Sequence, residues 1–534
     1  MILRFFSSDD TVSALGMQGF LHKFGLPSDF FIRSRTIQIC PESSPVPGPP
    51  TQKGYIEYGS LKIPVFIEPK DISGCGTPLA LYHGDGEKYP CITKNADQIS
   101  VGFDFFYHRG ILLSGEHERI WGREWTTERC SLLKQSYIDR FDALIFELIK
   151  DVCQNEGLFV IHKAFWPEAK PMAVCLTHDV DEMKKTYQWI TYPLKMLKML
   201  DYSGFVNQVK SFIKKIQGQE PYWTFDTITG MEKEVHAVSS FYFLWETSRV
   251  RFFDRRTWRH LGRRYNWNDP DIARLIRSLE NDGWEVGLHG SFDSFNSQEK
   301  IHEEKKSLER IIKMPLAGTR QHNLNLAIPD TWLIHEKEQF LYDTTLGSNR
   351  CTGFRWGTSF PFRPISLSER RAVNVLQLPL IIEDIPFFRN PDPWADFLLL
   401  FNETMVYNGN LTLLWHPAVL NSLEFPSWSG TYKKILDYCS GKNAWISSGR
   451  EIAGWWHKRE EVNYEWELSG NEIIITITGD APAGFCLTVY YPRNKRVVSV
   501  KNAKLAVTGD NSCQIGIMPG RVQNKKIIVY ITGR

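Results

Sequence analysis

The sequence predicts an α/β protein: a central set of β/α units around a parallel sheet or barrel, a mixed α/β region before it and a small all-β sandwich after it. Three observations predict this. Between residues 166 and 460, short β-rich apolar runs alternate with stretches of helical periodicity, as parallel strands joined by crossover helices require. Residues 1 to 165 mix short apolar runs with Pro- and Gly-rich breaks. Residues 461 to 534 change to strict apolar and polar alternation broken by turn signals.

The chain has 534 residues, room for three or four domains at roughly 100 to 200 residues each. Hydrophobic residues make up 42% and charged residues 23%, a globular mixture rather than a disordered one. Lys and Arg number 63 against 61 Asp and Glu, so the net charge of +2 gives no whole-protein field to gather nucleic acid. Aromatics at 13% suit sugar-stacking surfaces and large cores alike. No apolar run is long enough to span a bilayer. Met1 to Phe20 carries Asp9 and Asp10 and lacks the apolar stretch of a secretory signal, so a cytoplasmic location is expected. Ten cysteines between Cys40 and Cys513 include no C-x-x-C pair, and free buried thiols are expected.

In the first region, the run Ile63 to Ile67 and the break Pro45 to Pro50 indicate short strands and loops. Ser131 to Glu156 places Leu132, Leu133, Phe141, Leu144, Ile145, Leu148 and Ile149 mostly three or four apart, which predicts an amphipathic helix. The central strands are expected at Met172 to Leu176, Phe241 to Leu244, Trp284 to Leu288, Val373 to Leu380 and Leu411 to Trp415. Gln298 to Lys313 is expected as a helix with Ile301, Leu308, Ile311 and Ile312 on one face. Met183 to Lys215 also has a helical pattern and is rich in lysine. A solvated face of a peripheral helix is the preferred reading there, with a membrane-surface helix the other. In the last region Tyr464, Trp466 and Leu468, then Ile473, Ile475 and Ile477, alternate as strands do. Trp466 and Tyr490 are read as core aromatics before sugar-stacking ones.

The most informative stretch is Thr177-His178-Asp179-Val180-Asp181, which ends the first central strand. Residues two apart on an extended backbone share a side, so Asp179 and Asp181 project together, and two such carboxylates repel unless a cation lies between them. A lone D-x-D is more often a solvated turn with an N-cap, but other strand ends supply company. His289 follows Trp284 to Leu288, Arg320 and His322 follow Leu316 to Thr319, and His416 follows Leu411 to Trp415, with Asp384 a weaker fifth member. In a β/α barrel these C-terminal strand ends share one face, where active sites are found. Mixed His and Asp ligands suit Zn²⁺ or another divalent ion, a carboxylate beside Arg can serve as a base, and a further His as an acid.

At these residues the sequence resembles the polysaccharide deacetylase superfamily of carbohydrate esterases. The resemblance covers roughly residues 170 to 450 and rests on Thr177 to Asp181, Glu285 to Ser291, Gly318 to His322 and Leu414 to His416. Val101 to Asp104 and Leu112 to Glu116 resemble the N-terminal region of a bacterial and archaeal branch. It implies an irregular, seven-stranded β/α barrel and removal of an N-acetyl group from an amino sugar or glycan. Asp179 would be the base, Asp181 and His289 metal ligands, Arg320 the partner orienting Asp179, and His416 the general acid. Two departures stand out: Val180 replaces the usual metal-binding Asp, moving that role to Asp181, and Asp293 stands where a second His is usual. Either Asp293 or His322 would then be the third ligand, with a slight preference for His322. A metal-dependent glycosyltransferase and a non-catalytic glycan-binding relative are the competing readings.

Overall fold

The computed structural model describes residues 1–7, 10–33, 36–41, 54–121, 125–246, 253, 263, 265–509 and 511–533. The Pro45 to Pro50 break, Asp9 and Asp510 lie outside them. The first region builds a seven-stranded mixed sheet from Ile2–Ser7, Ile37–Pro41, Gly54–Tyr58, Leu61–Val65, Thr77–Gly84, Glu87–Lys94 and Gln98–Val101. Asp10 caps a helix at Thr11–Phe24 by accepting from the Val12 N–H. The helix expected over 131 to 156 begins later, at Tyr137, and runs to Asn155. Thr127–Leu132 forms a short separate helix ahead of it. Its buried face carries Phe141, Leu144, Ile145, Leu148 and Ile149, as the spacing predicts.

The central region is a parallel sheet of nine short strands: β1 (Ala173–Val180), β2 (Ser240–Leu244), β3 (Glu285–Gly290), β4 (Gly318–Gln321), β5 (Tyr342–Asp343), β6 (Leu376–Gln377), β7 (Leu380–Glu383), β8 (Asn410–Leu414) and β9 (Trp445–Ser447). The order is β6-β5-β4-β3-β2-β1-β8-β7, with β9 pairing the start of β1. Nine strands replace the expected seven because β5, β6 and β9 are pieces of only two or three residues. β6 and β7 stand at opposite ends of this order, yet Gln377 and Leu380 are three residues apart, a reach of at most about 11 Å. The sheet therefore curls until its two ends approach. The single strand expected over 373 to 380 is broken, with Pro379, which has no N–H for a ladder, between β6 and β7.

Crossover helices cover the sheet, including α1 (Gln188–Lys198), α2 (Tyr202–Ile216), α3 (Phe225–Glu234), α4 (Pro270–Asn281) and α5 (Gln298–Ile312). The helical pattern expected over 183 to 215 takes the form of a hairpin of two helices, turned at Met199 to Asp201, where Leu200 takes a left-handed φ of 56°. α5 matches the expected helix, with Ile301, Leu308 and Ile311 buried.

The last region forms two four-stranded antiparallel sheets, one of Asn463–Ser469, Glu472–Ala481, Lys495–Lys501 and Gly520–Gly533, the other of Cys486–Tyr490, Lys504–Thr508, Ser512–Gly516 and Val160–Lys163. The boundary expected at 461 is therefore crossed: Val160–Lys163, from ahead of the central sheet, completes the second of these sheets. Ile473, Ile475 and Ile477 are all buried and alternate as expected. Buried Arg459 binds the regions together, donating to the carbonyls of His22, Lys23, Lys163 and Ala164.

One cysteine expectation is corrected. Cys130 and Cys351, 221 residues apart, are joined as a disulfide with Cα atoms 6.0 Å apart, a separation that suits the bridge. Such bridges persist in oxidising surroundings. No helix of the described residues is long and apolar enough to cross a membrane.

Candidate functional site

The interior of the curled sheet is built from alternate residues of each strand. On β1, Val174, Leu176 and Val180 pack outward with the helices, and His178 also faces outward, bonded to the Trp415 carbonyl and the Glu232 carboxylate. Asp179 faces inward. The floor beneath it is polar: the Tyr242 and Tyr342 hydroxyls pair at 2.7 Å, and Tyr342 donates to Glu285 at 2.9 Å. Gly287 and Gly318 make room for these rings, because a Cβ at either would collide with Tyr242 or Tyr342. The Arg320 guanidinium lies 4.9 Å over the Tyr242 ring.

Arg320 is fully buried. It donates from Nη1 to Asp179 Oδ1 at 2.8 Å, and its other nitrogens bond the carbonyl and hydroxyl of Thr344. Burial alone would raise the Asp179 carboxyl, but Arg320, with His289 and His416, outweighs it and holds the group below its ordinary value. Asp179 Oδ2, the oxygen Arg320 leaves open, lies 3.6 Å from His289 Nε2.

His289 and Arg320 are partners in the β3–β4 register, and the His289 Nδ1–H donates to the Arg320 carbonyl at 2.9 Å. A carbonyl only accepts, so Nε2 is the atom left for the site. It faces Asp181 Oδ1 at 3.2 Å, a buried oxygen that accepts no hydrogen bond in the structure. Two lone-pair atoms this close require a cation between them, either a proton or a metal ion. Burial would lower His289, but the Asp179 and Asp181 carboxylates outweigh it and raise the imidazole.

His322 has the matching arrangement. Glu246 Oε2 holds Nδ1 at 3.1 Å, and Nε2 lies 3.8 Å from Asp181 Oδ2, while burial pushes the ring down to about 4. An imidazole held on one nitrogen by a carboxylate, with the other nitrogen turned to a shared point, is the posture of a metal ligand. The Arg263 guanidinium stands on the same atoms, 3.1 Å from Asp181 Oδ2 and bonded to His322 Nε2. Among the described residues no three His, Cys, Asp or Glu groups are arranged as a metal-holding set. The donors fit a divalent ion in type and in their orphaned oxygen, with the guanidinium as the cation now beside them.

Asp293 does not join them. Ser294 closes a tight turn onto the Ser291 carbonyl, and Ser291 is held by Glu304 through its N–H at 3.1 Å and through its hydroxyl, which leaves Asp293 exposed. Of the two alternatives for a third ligand, geometry brings only His322 to Asp181.

His416 follows β8, and Asp384 follows β7. Asp384 accepts from the His416 N–H at 2.7 Å and from Nδ1 at 2.9 Å. Burial would lower His416, but Asp384 overrides it and holds the ring up to about 10. The Asp181 and His416 side chains each keep 16% exposure, against 4% for Asp179, so these two mark the open side. The cavity of about 870 Å³ between helix Thr11–Phe24 and strand Asn463–Ser469 shares no residue with this cluster.

Four groups were not singled out from the sequence: Glu246, Arg263, Thr344 and Glu383. Glu246 lies two residues past β2 and Glu383 ends β7, so the strand-end pattern used for the others also marks them. Glu383 is buried, with Oε2 unpartnered, and burial pushes its carboxyl up to about 8. No apolar run precedes Arg263 in the sequence.

No protein-family model matches the chain, and no curated protein matches it. Among solved structures, the chain is similar to one from Mycobacterium smegmatis described as a polysaccharide deacetylase, at 17% identity over 54% of this chain and 91% of that one, with a TM-score of 0.35. A peptidoglycan deacetylase from Bacillus subtilis matches at 10% identity over 55% of this chain and 96% of that one, with a TM-score of 0.26. A CE4 family pseudoenzyme from Bacillus anthracis matches at 12% identity over 53% and 66%, with a TM-score of 0.25. Overlaps this low leave the residues of the site themselves as the ground for a function.

Proposed function

We propose that the protein is a metal-dependent hydrolase of the polysaccharide deacetylase type, removing an N-acetyl group from an amino sugar or glycan. The observation that carries this reading is the division of labour between two carboxylates: Asp179 is kept ionised by Arg320, while Asp181 turns an unpartnered oxygen toward His289 Nε2. The same reading takes the curled sheet as the irregular barrel of that superfamily, between boundaries near 165 and 460, and the two C-terminal sheets as a sandwich.

Asp181, His289 and His322 would hold the ion, most suitably Zn²⁺ for such donors. When bound, the metal supplies a Lewis acid for the acyl carbonyl and lowers the pKa of water. Asp179 takes the proton of the attacking water at Oδ2, since Arg320 engages Oδ1. The water oxygen bonds the acyl carbon, the carbon–nitrogen bond breaks, and the departing amine nitrogen takes a proton from His416 Nε2. Asp384 keeps that imidazole charged and fixes the nitrogen it presents. The products are a free amine and acetate.

A second reading, a glycan-binding relative without chemistry, is favoured by one observation: Arg263 already supplies a positive charge to Asp181 and His322. The glycosyltransferase reading of Asp179 and Asp181 gives Arg320 and His416 no work and is not carried further. Acetate release from N-acetylglucosamine oligomers by the metal-reconstituted protein separates the two readings. Release that is lost in Asp179→Asn and His416→Ala supports the hydrolase. Oligosaccharide binding without acetate release supports the glycan-binding relative.

A further inference from the structure

The α1–α2 hairpin is folded inside out. An ordinary surface helix buries its apolar stripe and exposes its polar one. Here the buried side chains are Gln188 on α1 and Gln208 and Ser211 on α2. They meet a polar anchor: Lys185 Nζ donates to Gln208 at 2.6 Å and to Glu424 at 2.8 Å, and Gln208 donates to Glu424 at 3.1 Å. Most of the apolar residues point outward, with Trp189, Tyr192, Met196 and Phe205 half-buried. Ile190, Leu194, Phe212 and Ile216 are 67%, 60%, 51% and 73% exposed, and the turn between the helices adds Met199 at 64% and Leu200 at 70%. Of the 22 exposed large hydrophobic side chains among the described residues, 12 fall between Tyr187 and Ile216, far more than scatter would place there.

Charge says what covers this face. Between 187 and 217 the chain carries five lysines, Lys195, Lys198, Lys210, Lys214 and Lys215, against the single acid Asp201. A second copy of the chain packed face to face would bring these lysines together, which like charge opposes. An anionic lipid surface satisfies both features, taking the apolar side chains at the acyl boundary and the long lysine stems among its phosphates. Neither helix is long enough to span, so the contact is with the surface. The hairpin also stands beside the site. α1 begins seven residues after Asp181, the Gln188 amide bonds the Glu182 carboxylate, and Glu424 lies eight residues after His416.

We propose that the α1–α2 hairpin docks the protein on an anionic lipid bilayer, with the Asp181–His416 opening held at the lipid surface. Resting on the deacetylase reading, the substrate class is then an acylated amino sugar carried at that surface by a lipid.

The test is flotation of the full chain with vesicles of phosphatidylcholine containing about 30 mol% phosphatidylglycerol, where lysine attraction is strong, against phosphatidylcholine alone. The wild type floats with the anionic vesicles and on the order of tenfold less with neutral ones or at high salt. Leu194→Ser, Phe212→Ser and Ile216→Ser together weaken flotation on the order of a hundredfold, and Lys195→Gln with Lys198→Gln on the order of tenfold. These residues are exposed, and an unchanged circular dichroism melt confirms folding. Asp181→Ala floats as the wild type does. Flotation without acetate release would therefore overturn the substrate class and leave the docking standing. Acetate release from soluble sugars by a protein that stays out of anionic vesicles would overturn the docking and leave the deacetylase reading standing. A dimer in sedimentation velocity that the triple serine variant dissolves would also overturn the docking and assign the face to a second copy.

Discussion

His289 gives its Nδ1 proton to the Arg320 carbonyl at 2.9 Å and so presents Nε2 to Asp181 Oδ1 at 3.2 Å. The β3–β4 ladder makes these residues register partners, so the backbone that aligns the strands also fixes the tautomer.

The first expected outcome concerns metal content. Elemental analysis of the purified, reconstituted protein gives about one divalent ion per chain. Asp181→Ala, His289→Ala and His322→Ala each lose it, while Asp293→Ala keeps it, because Asp293 is exposed outside the cluster. Glu246→Gln, which weakens the hold on His322 Nδ1, lowers affinity by about 10- to 100-fold. A metal-free wild type, or loss of metal in Asp293→Ala, contradicts this assignment.

Removing Arg320 acts through Asp179. Arg320→Leu leaves a buried carboxylate without its hydrogen-bonded cation, and the carboxyl rises because only His289 and His416 then oppose burial. Asp179 must be ionised to act, so the acidic limb of the kcat/KM profile moves to higher pH. Unfolding stability at neutral pH falls by about 3–5 kcal/mol, the usual result of orphaning a buried charge. Denaturant titration and a pH–rate profile check the two effects separately.

Asp384→Asn tests the acid. Asp384 is the largest of the groups that hold His416 up to about 10 against burial, with Asp181 and Asp179 adding to it, so the variant's imidazole falls well below that value. At alkaline pH a smaller fraction of the enzyme then carries the proton for the leaving nitrogen, and kcat drops by up to about 10²–10⁴-fold. The sign for stability is also fixed. The folded pKa exceeds the unfolded one, so this pair's contribution is complete below about 6.5 and is lost as pH rises through 10. In Asp384→Asn that alkaline loss of stability shrinks and moves to lower pH, which melts at pH 6 and pH 10 will show.

The Cys130–Cys351 bridge closes a long loop between the first region and the central sheet. Peptide mapping without reductant finds this pair joined, and Cys130→Ser lowers stability by about 2–4 kcal/mol. Mapping that finds both thiols free contradicts the pairing.

Much of this site was legible along the chain. Asp179, Asp181, His289, Arg320, His322 and His416 each follow an apolar run, and that placement alone brings them to one face of a parallel sheet. Glu246 and Glu383 carry the same strand-end signal without a motif around them. Arg263 was not legible, since no apolar run precedes it in the sequence and its contacts with Asp181 and His322 join residues far apart in the chain. The choice between Asp293 and His322 was equally closed to spacing, because a turn bonded to Glu304 decides which way Asp293 faces.

The helical periodicity of residues 183 to 215 was visible, but which face would be buried was not. By itself the sequence determined the α/β alternation, the strand ends that carry chemistry and the strand alternation of the last region, because these follow from local period and residue type. Only the tertiary structure decided the strand taken from 160–163, the Cys130–Cys351 pairing, the ligand geometry around Asp181 and the outward apolar face of α1 and α2. Each depends on contacts between residues far apart in the chain, which local periodicity does not encode.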